Sequence, residues 1–279
     1  MLKKMAVLKD TLLGRVVQRY FDHRVGKHGA SLAYYLLFAL FPMLIFFSNL
    51  LGQLDLDVHS IAEWLSDFLP NDVVDLFESY LVSVSENSSG TMLSFSLIFT
   101  LYFPFRATKS LMQDVRRAYG LSGKSPRPIA FTMRQIIFTA VLFLAIALSL
   151  ILSTFGKRML IFLFSVMKIS LPSGAVDLWN YLRFLLIAVF MFVAIATLYS
   201  IAQDKRQPLG AIIPGAALTL LAWLAVSVAF SFYVENFSKY SVIYGALGTV
   251  IVLMLWLYMI SVILIMGAEF NQALKESKE

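Results

Sequence analysis

Charges disappear from this chain over long stretches, and what remains between them fixes the expected elements. No charged residue occurs from Ile243 to Ala268. At about 1.5 Å of helical rise per residue, that run exceeds the roughly 30 Å of a bilayer's hydrocarbon core. Within it Tyr244, Gly248, Ile251, Leu255, Tyr258, Val262, Ile265, Glu269 and Gln272 recur at alternating steps of four and three, which places them on one helical stripe. A stripe of that composition is expected to face other helices, because lipid offers nothing to Tyr, Gly or Glu.

Five more apolar stretches predict spans at about 28–51, 91–112, 132–154, 179–202 and 209–233, with the last at 243–268. The expected fold class is therefore all-α, a polytopic membrane helix bundle of six transmembrane helices forming a single integral domain over 1–279. Pro42 interrupts the first span and Pro104 the second, positions where a membrane helix bends if neighbours satisfy the freed backbone. Thr91 to Phe105 is too short to cross alone, so the second span is expected to run through Arg106 and Lys109 to about Met112. After the third span, Phe155 to Val176 carries Lys157, Arg158 and Lys168, and its apolar run reads as an interfacial lead-out rather than a crossing. The fifth span carries Ala211, Gly215, Thr219, Ala222 and Ala229 on one side, a small-residue surface expected to pack against the stripe of the sixth.

Two segments outside the spans have their own pattern. Residues 1–27 hold Leu8, Leu12, Leu13, Val16, Val17, Tyr20 and Phe21 at helical spacing among basic residues, which predicts an amphipathic helix. It either lies on the anionic cytoplasmic surface or packs beneath the bundle. Residues 52–90 carry eight acidic residues and no Lys or Arg, and predict a short external cap of two helices, about 58–69 and 72–85, separated at Pro70-Asn71.

Composition agrees with this picture. Hydrophobic residues make up 59% of the 279 and charged residues only 14%, far from a soluble domain. There is no cysteine and there are only three histidines, which excludes disulfide and thiolate chemistry and argues against a histidine-built metal centre; no cofactor is expected. The net charge of +6 lies mostly beside the spans. With six crossings, 18 Lys and Arg fall on the side of the termini and 5 on the other, so both termini are expected in the cytoplasm. The first residues lack the compact apolar core and cleavage site of a signal peptide. Partners expected from this pattern are membrane lipids, above all anionic headgroups, and a second copy of the chain; nucleic acid is not expected.

Candidate chemistry is sparse. Tyr102, Arg106, Lys109 and Gln113 share one helical face, and Arg106 falls several ångströms inside the expected cytoplasmic boundary. Two readings stand: long side chains snorkelling to the interface, or a basic site for an anionic headgroup. Tyr34, Tyr35, Tyr244 and Tyr258 are candidate substrate-facing hydroxyls. Pro42, Pro104, Gly215, Gly245 and Gly248 are candidate packing or hinge positions. Glu269 is a candidate proton carrier, although its place near the predicted boundary favours plain solvation. No phosphate-binding loop is present, and no metal-binding carboxylate set or histidine pair lies near the basic side, so catalysis is not expected.

Ile243-Tyr244-Gly245-Ala246-Leu247-Gly248, Trp256-Leu257-Tyr258 and Met266-Gly267-Ala268-Glu269-Phe270-Asn271 resemble the last helix of the YihY/BrkB family of bacterial inner-membrane proteins, once labelled ribonuclease BN. Ala33-Tyr34-Tyr35 before Phe41-Pro42, and Gly210-Ala211, Trp223 and Phe230-Ser231-Phe232-Tyr233, resemble its first and fifth spans. Two places depart from the family: Phe38 to Phe41, where Ser is frequent, and Val115-Arg116-Arg117-Ala118-Tyr119, where Asn is frequent. The resemblance implies an inner-membrane location and the six-span topology. Lineages of the family have been tied to a withdrawn ribonuclease label, to serum resistance and to export of lipid A precursors. Transport of a lipid or small solute follows as the expected activity, with a scaffold or envelope assembly role as the alternative.

Overall fold

The computed structural model describes residues 11–54, 90–121, 128–166, 175–203, 207–237 and 246–277, together with a few single positions between 66 and 82. Among them are seven α-helices: α1 (Leu12–Asp22), α2 (Val25–Leu54), α3 (Gly90–Ala118), α4 (Pro128–Val166), α5 (Ala175–Ile201), α6 (Ile213–Phe237) and α7 (Ala246–Glu276). The chain is an all-α membrane protein. Stretches long and apolar enough to cross a bilayer occur at Pro128–Ile146, Tyr181–Ile201, Ile213–Val234 and Gly248–Glu276. The other two expected spans fall on α2 and α3, of 30 and 29 residues. Both prolines lie inside these continuous helices. Just past Pro104, the Phe105 carbonyl accepts from Gln135 Nε2 of α4 at 2.6 Å and from Thr108 Oγ1 at 3.0 Å, which ties that turn to its neighbour.

The expected acidic cap lies almost wholly outside the described residues, as do Tyr244 and Gly245. The expected lead-out after the third span begins as a continuation of that span's helix, since α4 runs unbroken for 39 residues to Val166, and residues 167–174 lie outside the described ones. Gly156 alone costs a helix only about 1 kcal/mol, and Lys157, Arg158, Met159 and Leu160 all favour helix, so nothing there stops propagation.

α2 packs along α3 and α7, α4 along α5, and α6 bridges α5 and α7. The helix α1 lies against the end of α7, so the first and last described helices meet at one end of the bundle, the terminal end. α1 begins with Thr11 Oγ1 accepting from Gly14 N–H. It ends at His23, and Arg24, at φ +50°, turns the chain into α2.

The terminal end holds the main buried cluster, including Leu32, Met112, Val115, Leu198, Ile212 and Ile265. α6 meets α7 through Gly215 and Thr219, but against Gly267 and Asn271 rather than against the stripe singled out in the sequence. That stripe divides: Ile251 and Leu255 are exposed, Tyr258 and Val262 press against Gly26 and Gly29 of α2, and Glu269 faces α1. The reason is steric. A backbone-to-backbone approach needs a glycine on each helix, and Gly267 is the one that matches Gly215.

Candidate functional site

Four helices converge at the terminal end on a set of polar side chains that would be costly to bury alone. Glu269, 1% exposed, accepts from Arg19 Nε at 2.7 Å through one oxygen and pairs with His23 Nδ1 at 2.6 Å through the other. Arg19 also donates to Glu276 at 3.0 Å and to the Ala118 carbonyl of α3 at 2.6 Å, so one guanidinium joins α1, α3 and α7. Plain solvation of Glu269 is thus corrected: α1 covers it and supplies the Arg19 guanidinium and the His23 ring as its partners.

Asn271 performs a backbone task on the same helix. Its Oδ1 accepts from Gly215 N–H at 2.6 Å, while Nδ2 donates to the Ile212 carbonyl at 3.1 Å and to the Tyr119 hydroxyl at 3.2 Å. The first turn of α6 is therefore capped by a side chain from α7. Burial pushes the Tyr119 phenol up to about 12. Gly267 is required because a Cβ there would run into Thr219 Oγ1 and the Tyr199 hydroxyl. Tyr199, fully buried, donates to the Leu264 carbonyl at 2.7 Å and lies 2.8 Å from Thr219 Oγ1.

Asp114, two residues past the expected end of the second span, is 4% exposed. Its Oδ1 accepts from Arg117 at 2.8 Å and lies 3.2 Å from His28 Nδ1. Burial lifts its carboxyl to about 6, with Arg117 pulling the other way. Arg116 is buried across Phe131 and donates to the Ala202 carbonyl at 3.0 Å, bolting α3 to the end of α5.

The residues proposed from sequence gather only in part. Arg106 is exposed, its guanidinium 5.8 Å from the ring centre of Tyr102, one turn earlier on α3. A run of rings flanks it on the seam of α2 and α3: Phe95 to Phe99 at 4.6 Å, Phe99 to Phe103 at 6.0 Å, Phe103 to Phe38 at 6.1 Å, and Phe38 to Tyr34 at 4.4 Å. Tyr102 joins through Phe103 at 5.5 Å and Tyr35 through Tyr34 at 5.8 Å. Lys109 lies half-buried on the same helix. Tyr258 is elsewhere, its hydroxyl bonded to Tyr20 of α1. Gly248 is buried in the first turn of α7.

Arg19, His23, His28, Asp114 and Asn271 were not singled out in the sequence. Asn271 had a signal, since it closes the Met266-to-Asn271 motif. The others carried none, because a basic helix and a distant carboxylate do not announce their pairing.

A bundle of apolar helices closed at one end by buried ion pairs defines an integral membrane protein. The family model described as virulence factor BrkB matches residues 16–279, and the chain belongs to that family. It is 29% identical over 274 residues to the ribonuclease-like protein YfkH of Bacillus subtilis (strain 168), covering 96% of this chain and 97% of that one. It is 27% identical to a UPF0761 membrane protein of Xanthomonas campestris pv. campestris (strain B100), covering 92% of this chain but 59% of that longer protein. A UPF0761 membrane protein of Alteromonas mediterranea is also 27% identical, with 98% of this chain and 90% of the relative covered. No solved structure matches.

Proposed function

We propose that this chain is a passive or ion-coupled transporter or flippase for an anionic lipid or small solute, in a bacterial inner membrane with both termini in the cytoplasm. The observation that carries this reading is Arg106 on the exposed face of α3. It lies twelve residues from the helix end at Ala118, roughly 18 Å along the axis at ~1.5 Å per residue. An arginine at the centre of a membrane helix costs roughly 2.5–3.5 kcal/mol on insertion scales, and less nearer the interface. Among the described residues no carboxylate pairs with it, and its guanidinium lies 5.8 Å from the Tyr102 ring centre. A lipid phosphate would neutralise the charge, while the rings from Tyr34 to Phe95 offer a surface for an acyl chain.

Reconstituted vesicles test this directly. Arg106→Ala should lower transfer of a fluorescent anionic phospholipid between leaflets several-fold, and Arg106→Lys should retain part of it. Unchanged transfer in a folded Arg106→Ala protein would remove the assigned role.

A non-catalytic scaffold or envelope assembly factor is the second reading, supported by the close contact of Gly215 with Gly267 and the dense packing of the terminal end. On that reading the wild-type protein transfers no more lipid than empty vesicles. Ribonuclease activity has the least support. Asp114 and Glu269 are held by arginine and histidine, and a metal-dependent nuclease needs free carboxylates that converge on an ion.

A further inference from the structure

Two carboxylates are buried at the terminal end, and their oxygens are used differently. Glu269 has one oxygen on Arg19 and the other on His23. Asp114 places both of its partners on Oδ1, Arg117 at 2.8 Å and His28 at 3.2 Å. Its Oδ2 is buried with no hydrogen-bond partner among the described residues. An ionised oxygen in that position loses its hydration without replacement. A proton on Oδ2 removes the charge and leaves both Oδ1 contacts in place.

We propose that Asp114 is a proton-binding site, and that His28, whose imidazole is 27% exposed, passes the proton between solvent and Oδ1, a half-turn of the carboxyl then exchanging the two oxygens so that the protonated one takes the unpartnered position. Histidine suits this task because its ring both takes up and gives up a proton. The surrounding charges are consistent with a carboxyl that titrates rather than one locked in its ionised form. Among the described residues Arg117 is the cation that acts on Asp114 itself, and it also acts on His28, together with Lys27 of α2 and Arg24 just before that helix. Arg19 of α1 is engaged by Glu269 of α7 and by the Ala118 carbonyl. On α4, Gln135 and Thr139 are engaged by the Phe105 carbonyl and Thr108 of α3, and Arg134 donates to the Gln203 carbonyl. The raised Asp114 value of about 6 agrees with this geometry. One clause rests on the transporter reading above: if the chain transports, the proton on Asp114 is the coupled ion.

Infrared titration of the purified full-length protein tests the site without any transport assay. The wild-type protein should show a protonated-carboxyl C=O band with a midpoint near pH 6. Asp114→Asn should abolish that band and Glu269→Gln should keep it. Arg117→Gln, which leaves the carboxyl in place, should move the midpoint up by about one unit or more, because a cation beside a carboxylate lowers its pKa. If Asp114→Asn does not fold, the Arg117→Gln shift decides alone. A band that survives Asp114→Asn, disappears in Glu269→Gln, or stays unmoved in Arg117→Gln overturns the assignment. Failure of lipid transfer would leave all three results standing.

Discussion

Arg19 and Glu269 stand 250 residues apart in the chain and meet at 2.7 Å, fastening the N-terminal helix over the last membrane helix. Because Glu269 is 1% exposed, removing its partner strands a charge away from water. A buried pair broken on one side costs roughly 3–5 kcal/mol, more than the pair contributes when intact. Arg19→Ala should therefore lower the unfolding temperature in detergent markedly. The double variant Arg19→Ala with Glu269→Gln should recover much of that loss, and a double-mutant cycle measures the coupling. Purely additive losses would mean that the contact carries no energy.

Gly267 and Gly210 make a paired test of close helix approach. A methyl group at Gly267 collides with Thr219 and Tyr199, whereas one at Gly210 meets nothing within 4 Å. Gly267→Ala should cost about 1–3 kcal/mol, and Gly210→Ala should stay within about 0.5 kcal/mol. Thermal unfolding of both variants checks the contrast.

Asn271→Ala removes the side chain that caps the start of α6 and leaves the Gly215 N–H and Ile212 carbonyl short of a partner. Each buried group so stranded costs roughly 1–3 kcal/mol. Hydrogen exchange at the first turn of α6 should speed up in this variant, while exchange in the middle of α4 stays as in the wild type.

Asp114 gives a pH dependence whose sign is fixed. Its carboxyl is raised in the fold from 3.8 to about 6. A raised carboxyl adds stability that is fully present below about pH 4 and is lost as pH rises through about 6. The full effect is on the order of 3 kcal/mol. The unfolding midpoint of the wild type should fall between those pH values relative to Asp114→Asn, whose own profile should be flatter. Parallel profiles would show that Asp114 does not set the dependence.

Much of this architecture could be read along the chain. Long uncharged runs dictate helices that cross a bilayer, because in hydrocarbon the backbone must satisfy its own hydrogen bonds. The terminal motif, from Met266 to Asn271, identified the family, and the small residues Gly215 and Thr219 announced a close contact. The partner of that contact was misassigned, because a stripe on a helical wheel tells which residues share a face and not which neighbour that face meets. That the helix of the third span runs on through the cations of the expected lead-out could not be read from them, because cations mark membrane boundaries without ending helices.

The sequence by itself determined that this is a polytopic helical membrane protein of the BrkB family, since hydropathy and local motifs are properties of neighbouring residues. Only the tertiary structure decided that Glu269 is latched by Arg19 and His23, that Asn271 caps a different helix, and that Asp114 keeps one oxygen unpartnered. Those outcomes depend on which helix ends pack together. A pairing between residues 250 positions apart leaves no periodicity to read, and its energy exists only once water has been excluded from between them.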